Sequence, residues 1–459
     1  MKGSLCNLAE GVMEQILLRL PVESLVQFKC ACTCWHTLID DPAFMVKHLR
    51  TSNNMSSSST SLLFTDKYNL SAFENAEFSR LTIYHDDDDD HHPVINYGVD
   101  EVCKLPIGNN VYVGTQCNGI FLMCEKSFQA INLYNPTTRK LWLIPDACPM
   151  DCIVQAVGFG YDSRANEHKV VRITSSNNNN GNSSKVCSAH IYNLSSISND
   201  SWTEIELPIE DKDSLSICEY GNQVYCKGVY YWMTDGKIIY FDISDEEFHV
   251  KPLPKENDLP LVRVQKLMLW NNDFVALLIC SGGILEPLEI EMWVLMDGDD
   301  GRCCWTKHLS IGPLIFCYCP LSFWKSDELL LAYYPHYKPP LKMTSDNLGT
   351  RKLRALPIPC SSIFDNDVEV IPFVKSLVSF RTTGTKSLSA LPCKHLETCT
   401  STKGWDSKTT VGLFTYISIL TLGIRWLKHI KANPVPRNNI YLHMVYCFMI
   451  SPYSLDDSL

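Results

Sequence analysis

Cysteines and histidines are the residues of this chain best suited to chemistry, and their spacing decides which chemistry is open to them. The sequence holds 21 Cys and 13 His. Cys30, Cys32 and Cys34 alternate two apart, Cys317 and Cys319 do the same, and Cys303 and Cys304 are adjacent. No two cysteines stand in the C-x-x-C step typical of structural zinc sites. These positions are therefore expected to hold buried, reduced thiols acting as small hydrophobes, with no metal bound. Asp86 to Asp90, flanked by His85, His91 and His92, offers carboxylates and imidazoles, but a block of like charge favours a solvated loop. His168, His190 and His249 lie on or beside strand-like runs, where packing is the default. Gly-x-Ser-x-Gly, a phosphate loop and a dinucleotide fingerprint are all missing from the sequence, so no catalytic residue is nominated and no cofactor is expected.

The elements around these residues carry more information. Between Leu8 and Phe44 the chain is short, helical and rich in apolar side chains. Leu8, Val12, Ile16, Leu17 and Leu20 recur at the three- and four-residue steps of one helix face. Pro21 stops that helix, because it lacks an N–H and clashes with the preceding turn. Ser24 is expected to cap the next helix. Leu25, Phe28, Trp35, Leu38 and Ile39 continue the pattern, and Pro42 is expected to end it. A unit below about 40 residues rarely buries enough apolar surface to stand alone. The surplus reads as a docking face.

Composition bounds the rest. At 459 residues and 45% hydrophobic, the chain has room for two or three domains with real cores. The start, M-K-G-S-L-C-N-L-A-E, has no signal-peptide pattern, so reduced thiols are expected. The first fifty residues are charge-balanced and the last 75 are basic. Residues 51–384, with 27 basic and 42 acidic side chains, then carry a net −15 within a chain total of −11. Such a domain repels nucleic acid and attracts cationic partners.

Residues 51–61 form a polar linker, and from Leu62 the grammar turns to β: short Val-, Ile-, Tyr-, Phe- and Trp-rich runs punctuated by Gly, Asn, Asp and Pro. A loose repeat follows, at Ile131–Pro145, Ile191–Pro208, Ile238–Pro254, Ile290–Ile311 and Ser345–Ile358. Each is a strand, a polar turn and a second strand, and each follows another hairpin. Their closing points, Pro145, Pro208, Pro254, Ile311 and Pro357, lie 63, 46, 57 and 46 residues apart. Four-stranded units of about 50 residues point to kelch-like propeller blades, about six of them over residues 62–380. Phe373 to Phe380 is the expected closing strand, and a β-sandwich or open β array is the alternative. The tail, 381–459, is basic. Its apolar run Val411–Ile424 falls short of the roughly twenty residues that span a bilayer, so no membrane association is expected. The fold class is α+β multidomain: a three-helix N-terminal unit (1–50), a linker (51–61), a propeller-like domain (62–380) and an atypical extension.

The N-terminal unit resembles the F-box, through Leu8, Ile16-Leu17-x-x-Leu20-Pro21, Ser24-Leu25, Phe28-Lys29-Cys30 and Cys34-Trp35 followed by Leu38-Ile39. It departs from the family pattern at Ala9 and Gly11. Gly inside a first turn costs about 1 kcal/mol relative to Ala. The β region resembles plant F-box-associated domains, and the pollen S-locus F-box type in particular. The matching residues are Cys117-Asn118-Gly119-Ile120, Leu133-Tyr134-Asn135-Pro136-x-Thr138-Arg139-Lys140, Gly158-Phe159-Gly160-Tyr161-Asp162, His168-Lys169-Val170-Val171-Arg172-Ile173, Ser201-Trp202-Thr203-Glu204-Ile205 and Lys227-Gly228-Val229-Tyr230-Tyr231-Trp232.

The resemblance implies a non-catalytic substrate receptor of a cullin-based ubiquitin ligase, cytoplasmic or also nuclear. It would dock on a Skp-type adaptor and cullin through its helices. Its β domain would bind a protein target, a basic secreted ribonuclease of the pistil being the family's known class. The residues nominated for docking and the fold beneath it are Leu8, Ile16, Leu17, Leu20, Pro21, Leu25, Phe28, Trp35 and Leu38. An enzyme on a propeller scaffold and a non-degradative F-box scaffold are the rivals.

Overall fold

The computed structural model describes residues 10–55, 59–66, 76–84, 96–105, 111–125, 130–145, 152–177, 185–194, 201–208, 222–254, 262–282, 286–297, 303–315, 317–333, 341–360, 368–380 and 388–389. Leu8, the Asp86–Asp90 run and the apolar tail segments lie outside them.

Four helices open the chain: α1 (Glu10–Leu17), α2 (Val22–Phe28), α3 (Thr33–Ile39) and α4 (Pro42–Met55). The fourth corrects the three-helix expectation. Pro42 begins this helix, a position where its missing N–H costs nothing. Asp41 caps it: its Oδ1 accepts the N–H groups of Ala43 and Phe44 at 2.7 and 3.2 Å. Ser24 does not cap α2. The helix begins two residues earlier, with Pro21 as its N-cap and no side-chain bond there. The expected linker is also mostly ordered, because α4 runs to Met55 and the first strand starts at Ser59.

The described strands form six sheets. The first blade takes β1 (Ser59–Asp66), β2 (Ala76–Tyr84) and β3 (Asn96–Leu105). The second takes β4 (Val111–Cys117), β5 (Ile120–Glu125), β6 (Ile131–Asn135) and β7 (Lys140–Ile144). The third takes β8 (Cys152–Asp162), β9 (Glu167–Asn177), β10 (Lys185–Asn193) and β11 (Thr203–Ile205). The fourth holds β12 (Gln223–Cys226), β13 (Val229–Thr234), β14 (Lys237–Asp242) and β15 (Glu247–Pro252). The fifth holds β16 (Val262–Trp270), β17 (Phe274–Ser281), β18 (Leu288–Asp297) and β19 (Cys303–Leu314). The sixth holds β20 (Cys317–Lys325), β21 (Glu328–Tyr333), β22 (Leu341–Asn347) and β23 (Lys352–Cys360). Each repeat seen in the sequence is the outer hairpin of one blade.

Closure comes from β24 (Val368–Pro372), antiparallel to β1 with Leu62 opposite Pro372 and Phe64 opposite Val370. The closing strand therefore precedes the expected Phe373–Phe380, which runs on as an extended strap. Residues from both ends of the domain share the first blade, which hides the sheet edges that radial closure must remove. A short β25 (Leu388–Ser389), inside the segment expected to be unrelated to the domain, pairs with β7.

The turns follow from local chemistry. Asn118-Gly119 and Lys227-Gly228 have two consecutive positive φ angles, as two-residue hairpins demand. Four-residue turns begin with a side-chain acceptor and end on a left-handed residue. Asn135 Oδ1 accepts the N–H groups of Thr137 and Thr138 before Arg139. Asp242 Oδ1 accepts those of Ser244 and Asp245 before Glu246.

Blades pack through paired apolar faces. A Cβ on Gly158 would lie 2.7 Å from Trp232, and one on Gly160 would lie 2.6 Å from Tyr225, so the two glycines let the fourth blade press on β8. Trp232, fully buried, donates its Nε1–H to Val157 O at 3.3 Å. A buried ion network joins the same blades. Lys169 Nζ donates to Asp162 at 2.8 Å, Glu246 at 2.7 Å and Ile243 O at 3.3 Å. Asp162 also accepts from Ser244 Oγ and the Arg164 and Ala165 N–H groups. Burial pushes the Asp162 carboxyl up, but the Lys169 bond and the backbone donors prevail and hold it well below the usual range. Arg172, also buried, lies 4.1 Å from the Trp202 ring centroid.

One carboxylate in the sixth blade has no such support. Asp346 is fully buried, and among the described residues neither of its side-chain oxygens has a hydrogen-bond partner. Burial raises its pKa against the opposing pull of Arg351, and Glu328 adds to the rise. A raised folded pKa contributes stability that is present below the unfolded value and lost as pH climbs through the folded one. Asp346→Asn is therefore expected to stabilise the domain at pH 7 by about 1–2 kcal/mol, since a neutral amide costs less to bury than a carboxylate. The gain should vanish near pH 4, and thermal melts at the two pH values check it.

Candidate functional site

The helical unit divides its apolar residues between an internal core and an outer face. Leu17, Leu18, Val22, Leu25, Phe28, Ile39, Phe44 and Met45 are buried. Three of the nominated docking residues, Leu17, Leu25 and Phe28, thus belong to the chain's own core. Ile16, Leu20, Trp35 and Leu38 are only half-buried and Pro21 is exposed. Val26, not nominated, is half-buried as well, and its place one turn after Val22 was the available signal. Trp35 lies against Phe28 with ring centroids 5.1 Å apart.

The Leu20-Pro21 corner is held from behind. His48, 1% exposed, donates from Nε2 to the carbonyl of Leu20 at 2.9 Å and stacks on Phe44. Burial lowers the His48 pKa, which favours the neutral ring whose N–H makes this bond. Leu20 lies three residues past the end of α1, so the bond gives a carbonyl of the turn its partner and fixes the corner.

The helices are tied to the propeller through the strap. Asn135 Nδ2 donates to Ser376 O and Val378 O, both at 3.0 Å. Thr137 Oγ1 accepts the Ser376 N–H, and Lys140 Nζ reaches Ser379 Oγ. Gly119, at φ +77°, has the strap so close that a Cβ would lie 2.4 Å from Val374 O. Phe380 packs on Trp142 and His168, with ring centroids 4.9 and 5.2 Å away. Burial takes the His168 pKa down to about 3, so it packs as a neutral ring. From the strap, Lys375 pairs with Glu23 of α2 at 2.6 Å. Burial raises the Glu23 carboxyl, but the bond and charge of Lys375, with a backbone hydrogen bond and Arg80, together bring it below its ordinary value. Leu49 of α4 enters the cluster of Trp142, Val154, Phe159 and Val378.

These contacts fix which end of the propeller the helices occupy. The strap meets the β4–β5 and β6–β7 turns, and α4 leads into the start of β1 at that same end. Most turns there are two to four residues long. Connections at the other end are mostly longer, reaching residues 206–222 between β11 and β12. Leu143, Ile153 and Val250, each more than a third exposed, lie towards that far end of their strands, and Ile315, also exposed, follows the end of β19 there. Among the described residues, the inner strands β4, β12, β16 and β20 carry no His, Asp or Glu, β8 carries only Asp162 and β24 only Glu369. The expected burial holds for Cys117, Cys124, Cys187, Cys226, Cys280, Cys317 and Cys319. It fails for Cys30, Cys32, Cys34 and Cys304, which are exposed. No helix among the described residues is long and apolar enough to cross a membrane.

Comparison with known proteins places both parts. Residues 63–352 match the family model described as the F-box associated beta propeller domain, and residues 5–47 match the F-box domain. An F-box/kelch-repeat protein of Arabidopsis thaliana is 31% identical over 36% of this chain and 45% of its own length. An F-box protein of the same plant is 27% identical over 65% of this chain and 72% of its own. A second F-box/kelch-repeat protein from it is 24% identical over 61% of this chain and 66% of its own. The chain thus spans less than half the length of the first of these relatives.

Proposed function

The chain belongs to the family of F-box proteins with an F-box-associated β-propeller, and on that premise we propose that it is the substrate-recognition subunit of a cullin-based ubiquitin ligase. The observation that carries this reading is the apolar surface left on the helices. Ile16, Leu20, Pro21, Val26, Trp35 and Leu38 remain at least partly open after the helices have packed on each other and on the propeller. A Skp-type adaptor would cover these side chains by receiving helices in an apolar groove. The cullin would join through the adaptor.

The propeller end away from the helices is the proposed target surface. Longer connections and the exposed Ile153 and Ile315 support that choice. The receptor's contribution is proximity: holding target lysines beside activated ubiquitin raises their effective concentration without a catalytic group of its own. The net −15 of residues 51–384 favours a cationic target, since opposite charge speeds encounter. Basic ribonucleases, suggested by the resemblance to the pollen S-locus type, are the first class to test. Such a receptor would work in the cytoplasm or also the nucleus.

Reconstitution tests the reading. The full chain, mixed with a Skp-type adaptor and a cullin, should co-elute with them and direct ubiquitin onto a basic ribonuclease in preference to a neutral protein of similar size. Failure to co-elute would overturn the docking reading. Co-elution without any preference would overturn the target class alone.

A further inference from the structure

The thiols of this protein are unevenly placed. Seven of the described cysteines are buried, and burial pushes Cys117 and Cys317 up to about 12. The link between α2 and α3 and the first turn of α3 are the reverse: Cys30, Cys32 and Cys34 fall within five residues and all are exposed. Cys32 has a structural task. It is the N-cap of α3, in extended backbone, and its Sγ accepts the N–H of Trp35 at 3.4 Å. That helix carries Trp35 and Leu38, two of the half-buried residues assigned to docking, and Trp35 leans on Phe28 of α2. A group added at Cys32 would displace the cap of the docking helix. A group added at Cys34, two residues further along, would stand on its exposed side.

We propose that Cys32 and Cys34 form a thiol-modification site for low-molecular-weight disulfides of the glutathione type, and that modification there blocks adaptor docking. The thiolate of the cysteine attacks one sulfur of the small disulfide. The new S–S bond forms as the old one breaks, and the departing thiolate takes up the proton the cysteine lost. Charge and redox balance are then complete: the protein thiol is oxidised to a mixed disulfide and half of the reagent is reduced to a thiol. A reducing agent reverses the step. Because binding and modification exclude each other, bound adaptor protects the thiols to the extent that modification weakens the adaptor. The regulatory half of this inference rests on the docking reading above; the site itself does not.

The test treats the full chain with oxidised glutathione, locates the adducts by peptide mass analysis, and titrates the product with purified Skp-type adaptor. Adducts are expected first at Cys32 and Cys34, ahead of the exposed Cys304. Adaptor affinity should fall at least tenfold and recover with dithiothreitol. The variant Cys32→Ser with Cys34→Ser, which keeps an oxygen acceptor at the cap, should bind adaptor equally with and without the reagent, with an unchanged melt as the folding control. Earlier adducts at Cys304 would overturn the site. Full modification at Cys32 and Cys34 with undiminished adaptor binding would overturn the block. An untreated chain that binds no adaptor would overturn the docking reading and the block with it, while the adduct map still decides the site.

Discussion

Replacing Leu20 and Pro21 together, as Leu20→Asp with Pro21→Ala, is expected to abolish capture of a Skp-type adaptor while the propeller stays folded. Both residues sit at a corner that the chain does not cover, Leu20 half-buried and Pro21 exposed, and His48 holds that corner still through the Leu20 carbonyl. Held corners make good anchors because little freedom is lost on binding. Truncating an interface anchor typically costs 2 kcal/mol or more, and placing a carboxylate against an apolar groove adds desolvation, so a loss of roughly 100-fold or more in affinity is expected. The propeller should not notice. Leu20 and Pro21 belong to none of its apolar clusters, whereas Leu49 does. Titration with adaptor, paired with circular dichroism of the variant, checks both halves. Undiminished capture by a folded variant would remove the corner from the docking face.

The largest stability effect is expected at Lys169. Its ammonium is 5% exposed and bridges two blades through Asp162 and Glu246. Lys169→Met keeps much of the volume but leaves the Asp162 carboxylate, 4% exposed, without its cation. Removing one partner of a buried pair costs about 3–5 kcal/mol. At about 2 °C per kcal/mol for a large domain, the melt should fall by roughly 6–10 °C. The sign with pH follows from Asp162. A depressed folded pKa gives stability that is present above the unfolded value and lost as pH falls towards the folded one. The deficit of Lys169→Met should therefore be full at pH 7 and shrink below about pH 4. A deficit that stays constant with pH would mean that packing, not charge, joins these blades.

Much of this architecture was legible in the residues. The outer hairpins announced themselves because Asn135, Asp242 and Asn347 each begin a turn with an acceptor side chain, a purely local signal. The family motifs acquire reasons in space. Gly158 and Gly160 make room for Trp232 and Tyr225, Lys169 ties two blades, and Arg172 lies under Trp202. What was not legible depended on distant partners. Phe373–Phe380 has strand-like composition, yet two of its carbonyls, those of Ser376 and Val378, are taken by the Asn135 side chain more than two hundred residues away, so it becomes a strap. Pro42 read as a stop because the cap at Asp41 and the packing of Phe44, Met45 and Leu49 lay beyond the pattern that ended at Ile39. The docking residues showed the same limit. Periodicity marked one apolar face, but only packing could assign Leu17, Leu25 and Phe28 to the core and leave Ile16, Leu20, Trp35 and Leu38 partly open.

Amide hydrogen exchange of the full chain, alone and with purified Skp-type adaptor, tests the central claim most directly. Slowed exchange is expected along residues 16–38, with the propeller hairpins unchanged. Exchange that stays the same across those helices at saturating adaptor would contradict the assignment of this surface to a second polypeptide.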